Sequence, residues 1–208
     1  MTYASKTRRP SFWFPVLCMT TLPLAHPGSA LADEFSPFVA PADKALLVLI
    51  QNERPDRETT FVVFDADKKC VASVGGRRAE LVPMKPGKHT LYVTAYNTRR
   101  IQLDLAAGRT YFIRIYARDR FATRVTEVTP VQRASDAFMR LKDWLDGTIV
   151  THADDDQCVG RPLDKRRDRT QKKMMEANVD WKDGDDAFRA QYTLHKDDGL
   201  SVDELSML

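Results

Sequence analysis

The chain has 208 residues, 43% of them hydrophobic and 29% charged, with a formal net charge of +3. That length and balance fit one globular domain with or without an appendage, and they exclude a collagen, a disulfide-dense miniprotein and a fully disordered chain. Lys6, Arg8 and Arg9 account for the whole excess of charge, so the residues from Asp33 onward balance to zero and imply no acidic partner.

Those three basic residues open the chain, and no acid precedes Asp33. Residues 10–32 are uncharged, with an apolar stretch from Phe12 to Met19 and small residues at Ala30 and Ala32. Basic start, apolar middle and an A-x-A end are the parts of a secretory signal peptide. The expectation is cleavage after Ala32 and a periplasmic or secreted protein, with 33–43 as a linker. An uncleaved anchor is the first rival, but Pro15, Pro23, Pro27 and Gly28 interrupt the run. Lipidation at Cys18 is the second, but Leu17 stands where a lipoprotein signal wants a small residue. The tail holds no second apolar span, so no membrane tether is expected.

Residues 44–130 read as short strands separated by turns. Residues 45–50 are continuously apolar, as in a strand buried on both faces. Residues 59–64 are β-branched and aromatic, 65–69 are a turn, and 70–74 follow as a strand. Gly75 and Gly76 signal a two-residue hairpin, with 77–82 as the partner strand. Pro86 and Gly87 suit a type II turn. Strands are then expected over 90–96, 101–105, 111–116 and 121–129. About eight strands at roughly ten-residue spacing, with no helix between them, predict an antiparallel β-sandwich of about 7–8 strands.

Two segments carry a resemblance. Val82-Pro83-Met84-Lys85-Pro86-Gly87-Lys88-His89-Thr90-Leu91-Tyr92-Val93 enters a strand through P-G-x-H. Leu105-Ala106-Ala107-Gly108-Arg109-Thr110-Tyr111-Phe112-Ile113-Arg114-Ile115 enters a later one through G-x-x-Y. Together they resemble an uncharacterised β-sandwich domain family of bacterial envelope proteins, often attached to lipoprotein signals and distantly similar to PEGA-type surface domains. The resemblance implies an exported sandwich with no assigned chemistry. The signature tetrapeptide of the PEGA type is absent here.

Composition shifts after Pro130. Residues 33–130 carry 16 basic and 12 acidic side chains, whereas residues 131–208 carry 13 and 17. The later part is read as a helical, charged and partly disordered appendage over 131–208. Ala134, Ala137, Phe138, Leu141, Trp144 and Leu145 predict a helix ending near Gly147 that lays Phe138, Leu141 and Trp144 on the sandwich. A second helix is expected from 163 to about 177, largely solvated and anchored by Met174, Met175 and Val179.

Candidate sites are few. Cys18 leaves with the leader, and the remaining Cys70 and Cys158 suggest one disulfide holding tail to body; two unrelated thiols are the alternative. No C-x-x-C is present. The acidic runs at 152–156 and 180–186 could take calcium, but the EF-hand spacing is not met. The basic run at 165–169 is interrupted by acids, so a solvated helix face is expected rather than a nucleic-acid contact. No G-x-S-x-G motif is present, and His89 has no evident catalytic partner. Tyr92, Tyr96, Arg114 and Tyr116 are the candidate ligand-facing residues, suited to a carbohydrate or peptide; the alternative is that they cover core. No cofactor is expected. These features predict a non-catalytic binding or structural module of the cell envelope. An accessory protein docking an envelope partner through the first tail helix, and a hydrolase with an unrecognised site, are the rivals.

Overall fold

The structure is a computed structural model that describes residues 36–53, 59–153 and 167–208. The leader and its cleavage site therefore lie outside the described residues.

All eight expected strands form: β1 Ala45–Gln51, β2 Phe61–Asp65, β3 Cys70–Val74, β4 Arg78–Met84, β5 Gly87–Thr94, β6 Thr98–Leu105, β7 Thr110–Arg120 and β8 Thr123–Pro130. The tail adds two, β9 Ile149–His152 and β10 Thr193–Leu194. The ten make two five-stranded sheets, ordered β8-β7-β1-β4-β9 and β10-β6-β5-β2-β3.

The sheets are mixed rather than purely antiparallel. β1 runs parallel to β7, β4 to β9 and β6 to β10. The reason lies in the connections. Only β2–β3, β5–β6 and β7–β8 are hairpins; the links after β1, β3, β4 and β6 cross to the other sheet. A strand that returns through the opposite sheet can lie parallel to an earlier one without a crossover helix. Gly75 and Gly76 accordingly do not close a hairpin. Gly76 and Arg77 both have positive φ, 65° and 57°, and the turn carries the chain from the second sheet to the first. The Arg77 amide donates to the Gln51 side chain across that step, at 2.8 Å. Gly87, at φ 118°, supplies the positive φ its turn requires.

The strand alternation sets the core. Leu47, Leu49, Val63, Leu91, Val93, Ile101, Leu103, Ile113 and Ile115 from both sheets share one buried cluster. β1 is buried along its whole length. Its other face, Leu46, Val48 and Ile50, meets Ala79, Leu81 and Phe112 in a second cluster.

The tail covers both outer faces. Over the first sheet lie two short helices, α1 Asp136–Met139 and α2 Leu141–Leu145, in place of the single helix expected. They break at Arg140, whose φ of −97° and ψ of 0° leave the helical register. Leu141 and Trp144 are buried on the sheet and Phe138 packs beside them, as predicted. Over the second sheet lies α3, Arg167–Asp183. Met174 and Ala177 bury against Phe64 and Tyr92. Met175 and Val179, expected as anchors, are exposed. The last residues add α4 Asp186–Gln191 and α5 Val202–Leu205. Tyr192 and Leu194 enter the shared core, and Leu200 and Leu205 enter the cluster outside the first sheet.

Candidate functional site

Of the four residues expected to face a ligand, only Arg114 and Tyr116 are brought together. Tyr92 points outward from the second sheet, is buried beneath α3, and donates its hydroxyl to Asn178 Oδ1 at 2.8 Å. Arg114 and Tyr116 stand on the outer face of the first sheet. There Arg114 lies 4.5 Å from the Tyr116 ring centroid and 4.7 Å from that of Trp144. Its guanidinium donates to Asn52 Oδ1 at 3.0 Å and to Glu53 Oε1 at 2.6 Å. Burial lowers the Arg114 pKa, and the Glu53 carboxylate opposes that shift. Tyr96 lies past the end of β5, partly exposed, with its hydroxyl against Thr59 Oγ1 at 3.1 Å and Arg124 Nη1 at 3.2 Å. Tyr92, Arg114 and Tyr116 are engaged in packing the fold, whereas Tyr96 stays exposed.

Cys70 opens β3 at half burial beside Val62, Phe64, Tyr92 and Met174. Cys158 lies outside the described residues, as do Asp154, Asp155 and Asp156. Asp185 caps α4 by accepting from the Phe188 amide at 2.7 Å, and Asp186 pairs with Arg189 at 2.7 Å. Among the described residues no three His, Cys, Asp or Glu side chains gather closely enough to hold a metal ion. His89 turns its Nε2 onto the Lys85 carbonyl at 2.7 Å, within its own turn.

The structure instead builds a groove where the β6–β7 turn meets the end of the chain. It has a volume of about 470 Å³ and is lined by Ala106, Arg109, Arg133, Lys196, Asp197 and Glu204. Gly108, at φ 67°, closes the turn that sets Arg109 in place. Tyr111 fixes the opposite wall: its hydroxyl accepts from the Ala106 amide at 2.8 Å and donates to the Lys196 carbonyl at 3.0 Å. Burial raises the Tyr111 pKa above its ordinary value. Thr110 and Leu200 exchange backbone hydrogen bonds at 2.9 and 2.8 Å, which ties the tail to the start of β7.

Glu204 organises the cations. Arg133 grips its two oxygens at 2.6 and 2.8 Å, and Arg109 donates to it at 3.2 Å. Both arginines also donate to the Gly199 carbonyl. The Arg133 hydrogen bonds, helped by the Ser201 amide, hold the Glu204 pKa down at about 2. Lys196 and Asp197 remain outward at the rim, with Lys196 Nζ 3.9 Å from Asp104.

No protein-family model matches this chain, and no curated protein matches it.

The groove residues escaped the sequence reading because they come from the β6–β7 turn, the loop after β8 and the last thirteen residues. One signal was present. Ser201-Val202-Asp203-Glu204 is an S-x-x-E capping box, and it forms: Ser201 accepts from the Glu204 amide while Glu204 accepts from the Ser201 amide. It marked a helix start in a segment otherwise read as disordered. Among the described residues no helix is long and apolar enough to cross a membrane.

Proposed function

We propose that this chain is an exported, non-catalytic binding module of the cell envelope, a β-sandwich with a Cys70–Cys158 disulfide, and that the groove beside Glu204 is its ligand site. The observation that carries this reading is the groove itself. It is an open groove of about 470 Å³ with a largely charged lining. Its lining offers three cations and two carboxylates and no aromatic platform. Sugars favour a flat ring to stack on, whereas a short peptide bearing both charges finds complementary partners in Lys196, Asp197 and Arg109. A peptide is therefore the favoured ligand class.

The state of Glu204 supports a binding role over hydrolysis. A carboxyl that transfers protons works best with a pKa raised toward neutrality. Glu204 is held near 2 by Arg133, which makes it a fixed anion. Docking through the first tail helix is less supported, because Leu141 and Trp144 already fill the outer face of the first sheet.

The test is calorimetric titration with a Glu-Ala-Lys tripeptide, together with the double charge swap Lys196→Asp and Asp197→Lys. Binding by the natural chain and at least tenfold weakening in the swapped variant are expected. Binding that ignores the swap, or an equal response to a neutral oligosaccharide, overturns the assignment.

A further inference from the structure

The far end of β7 presents a different surface. Residues 118–123, the tip of the β7–β8 hairpin, are exposed without interruption. At their centre Phe121 is fully exposed, at 110% of its reference area, and holds φ at 50°. A bulky aromatic in the left-handed region carries a backbone penalty that glycine or asparagine would avoid. It also leaves a whole ring in water. Among the described residues Phe121 is the one large apolar side chain that combines both costs.

Its surroundings are basic. Arg118 and Arg120 flank it on β7, and Arg124 follows on β8. Asp119 pairs with Arg124 at 2.9 Å, which leaves the tip net positive. Arg124 reaches over the Tyr96 ring at 5.7 Å. Lys173 of α3 adds a further cation beside Tyr96, donating to the carbonyls of Ala95 and Tyr96 at 3.1 and 2.8 Å.

A protruding ring above a collar of arginines matches the chemistry of an interface between headgroups and acyl chains. The ring enters the apolar boundary while guanidinium groups hold phosphate oxygens. A protein partner is a poorer fit. Stable protein interfaces bury about 800 Å² on each side around an apolar centre, and this tip offers one large apolar side chain on a convex turn. We propose that the hairpin at 118–124 docks the protein on an anionic phospholipid surface, with Phe121 as the wedge and Arg118 and Arg120 on the phosphates. This contact is peripheral and independent of any anchor in the leader, and it does not rest on the reading of the groove. β7 spans Thr110–Arg120, so the tip lies about 30 Å along the strand from the groove. A tip-down protein would hold the groove away from the membrane.

The experiment is co-sedimentation of the full chain with vesicles of phosphatidylglycerol and phosphatidylcholine, against vesicles of phosphatidylcholine alone, with natural and substituted proteins side by side. Anionic vesicles are expected to retain at least tenfold more protein, with the difference shrinking at high salt. Arg118→Gln and Arg120→Gln should each weaken partitioning about five-fold. Phe121→Gly is the decisive variant. Glycine accepts the φ of this position, so thermal stability should hold or rise while vesicle binding falls. Equal binding to neutral vesicles, or Phe121→Gly binding as well as the natural chain, overturns the proposal. So does hairpin-dependent capture of an acidic protein without vesicle partition, which would place a protein there instead.

Discussion

Glu204 draws two arginines, a backbone amide and the end of the chain to one point, and its ionisation reports whether that point is intact. Its pKa falls from the ordinary 4.5 to about 2 in the folded protein. A depressed carboxyl stabilises the fold above its unfolded pKa, and that stabilisation fades as pH falls through the folded value. Corrected for the intrinsic pH dependence of exchange, the protection of the amides from Gly199 to Leu205 should therefore be nearly constant between pH 7 and pH 6 and fall between about pH 4.5 and pH 2. Glu204→Ala should remove about 1–3 kcal/mol, because hydrogen bonds to a charged group are lost at partial exposure; chemical denaturation measures it. Gly199→Ala tests the same corner sterically. A Cβ there would lie 2.5 Å from Tyr111 Cζ, so the variant should melt lower than the natural chain and free the tail to protease first. The capping box at Ser201 was readable in the sequence. Its ion-pair partners were not, since Arg133 and Arg109 stand 71 and 95 positions before Glu204.

Strands were legible because alternation and turn chemistry are local. Asp65 and Lys69 make the expected turn, with the Asp65 carboxylate accepting from the Lys69 amide at 2.8 Å. Which sheet each strand joins was not legible, because Gly75 and Gly76 signal a reversal and not its destination. The same limit applies to α3. Met174 and Met175 look alike in the sequence, but the rotation of about 100° between neighbouring helix positions places Met174 on the sheet and Met175 in solvent. Arg100 and Trp181 decide the helix's rotation: the guanidinium sits 4.9 Å from the indole centroid and donates to Asn178 at 3.0 Å. Met174→Ala should cost about 2–4 kcal/mol by leaving a cavity, and Met175→Ala less than about 0.5 kcal/mol. Equal losses in urea unfolding would mean that α3 does not lie on the second sheet.

The described residues form a pair of sheets, and the end of the chain completes one edge of each sheet and both outer faces. β10 covers the edge of β6 that would otherwise stand open, and β9 extends β4. Truncation after Tyr192 should remove the burial of Leu194, Leu200 and Leu205. At roughly 1.5–3 kcal/mol for each side chain, the melting temperature should fall on the order of 15 °C. The bared edge should also promote aggregation, visible by light scattering. Arg109 pairs with Glu204 across the boundary between residues 33–130 and 131–208, and the Arg133–Glu204 pair lies within the tail. That closure is also what forms the groove, so fold and proposed function depend on the same residues. The most direct test is a two-dimensional amide NMR titration with the Glu-Ala-Lys tripeptide. The account predicts shifts confined to Ala106–Thr110, Arg133 and Lys196–Glu204. Shifts centred instead on Arg114, Tyr116 and Trp144, or none at millimolar peptide, would contradict it.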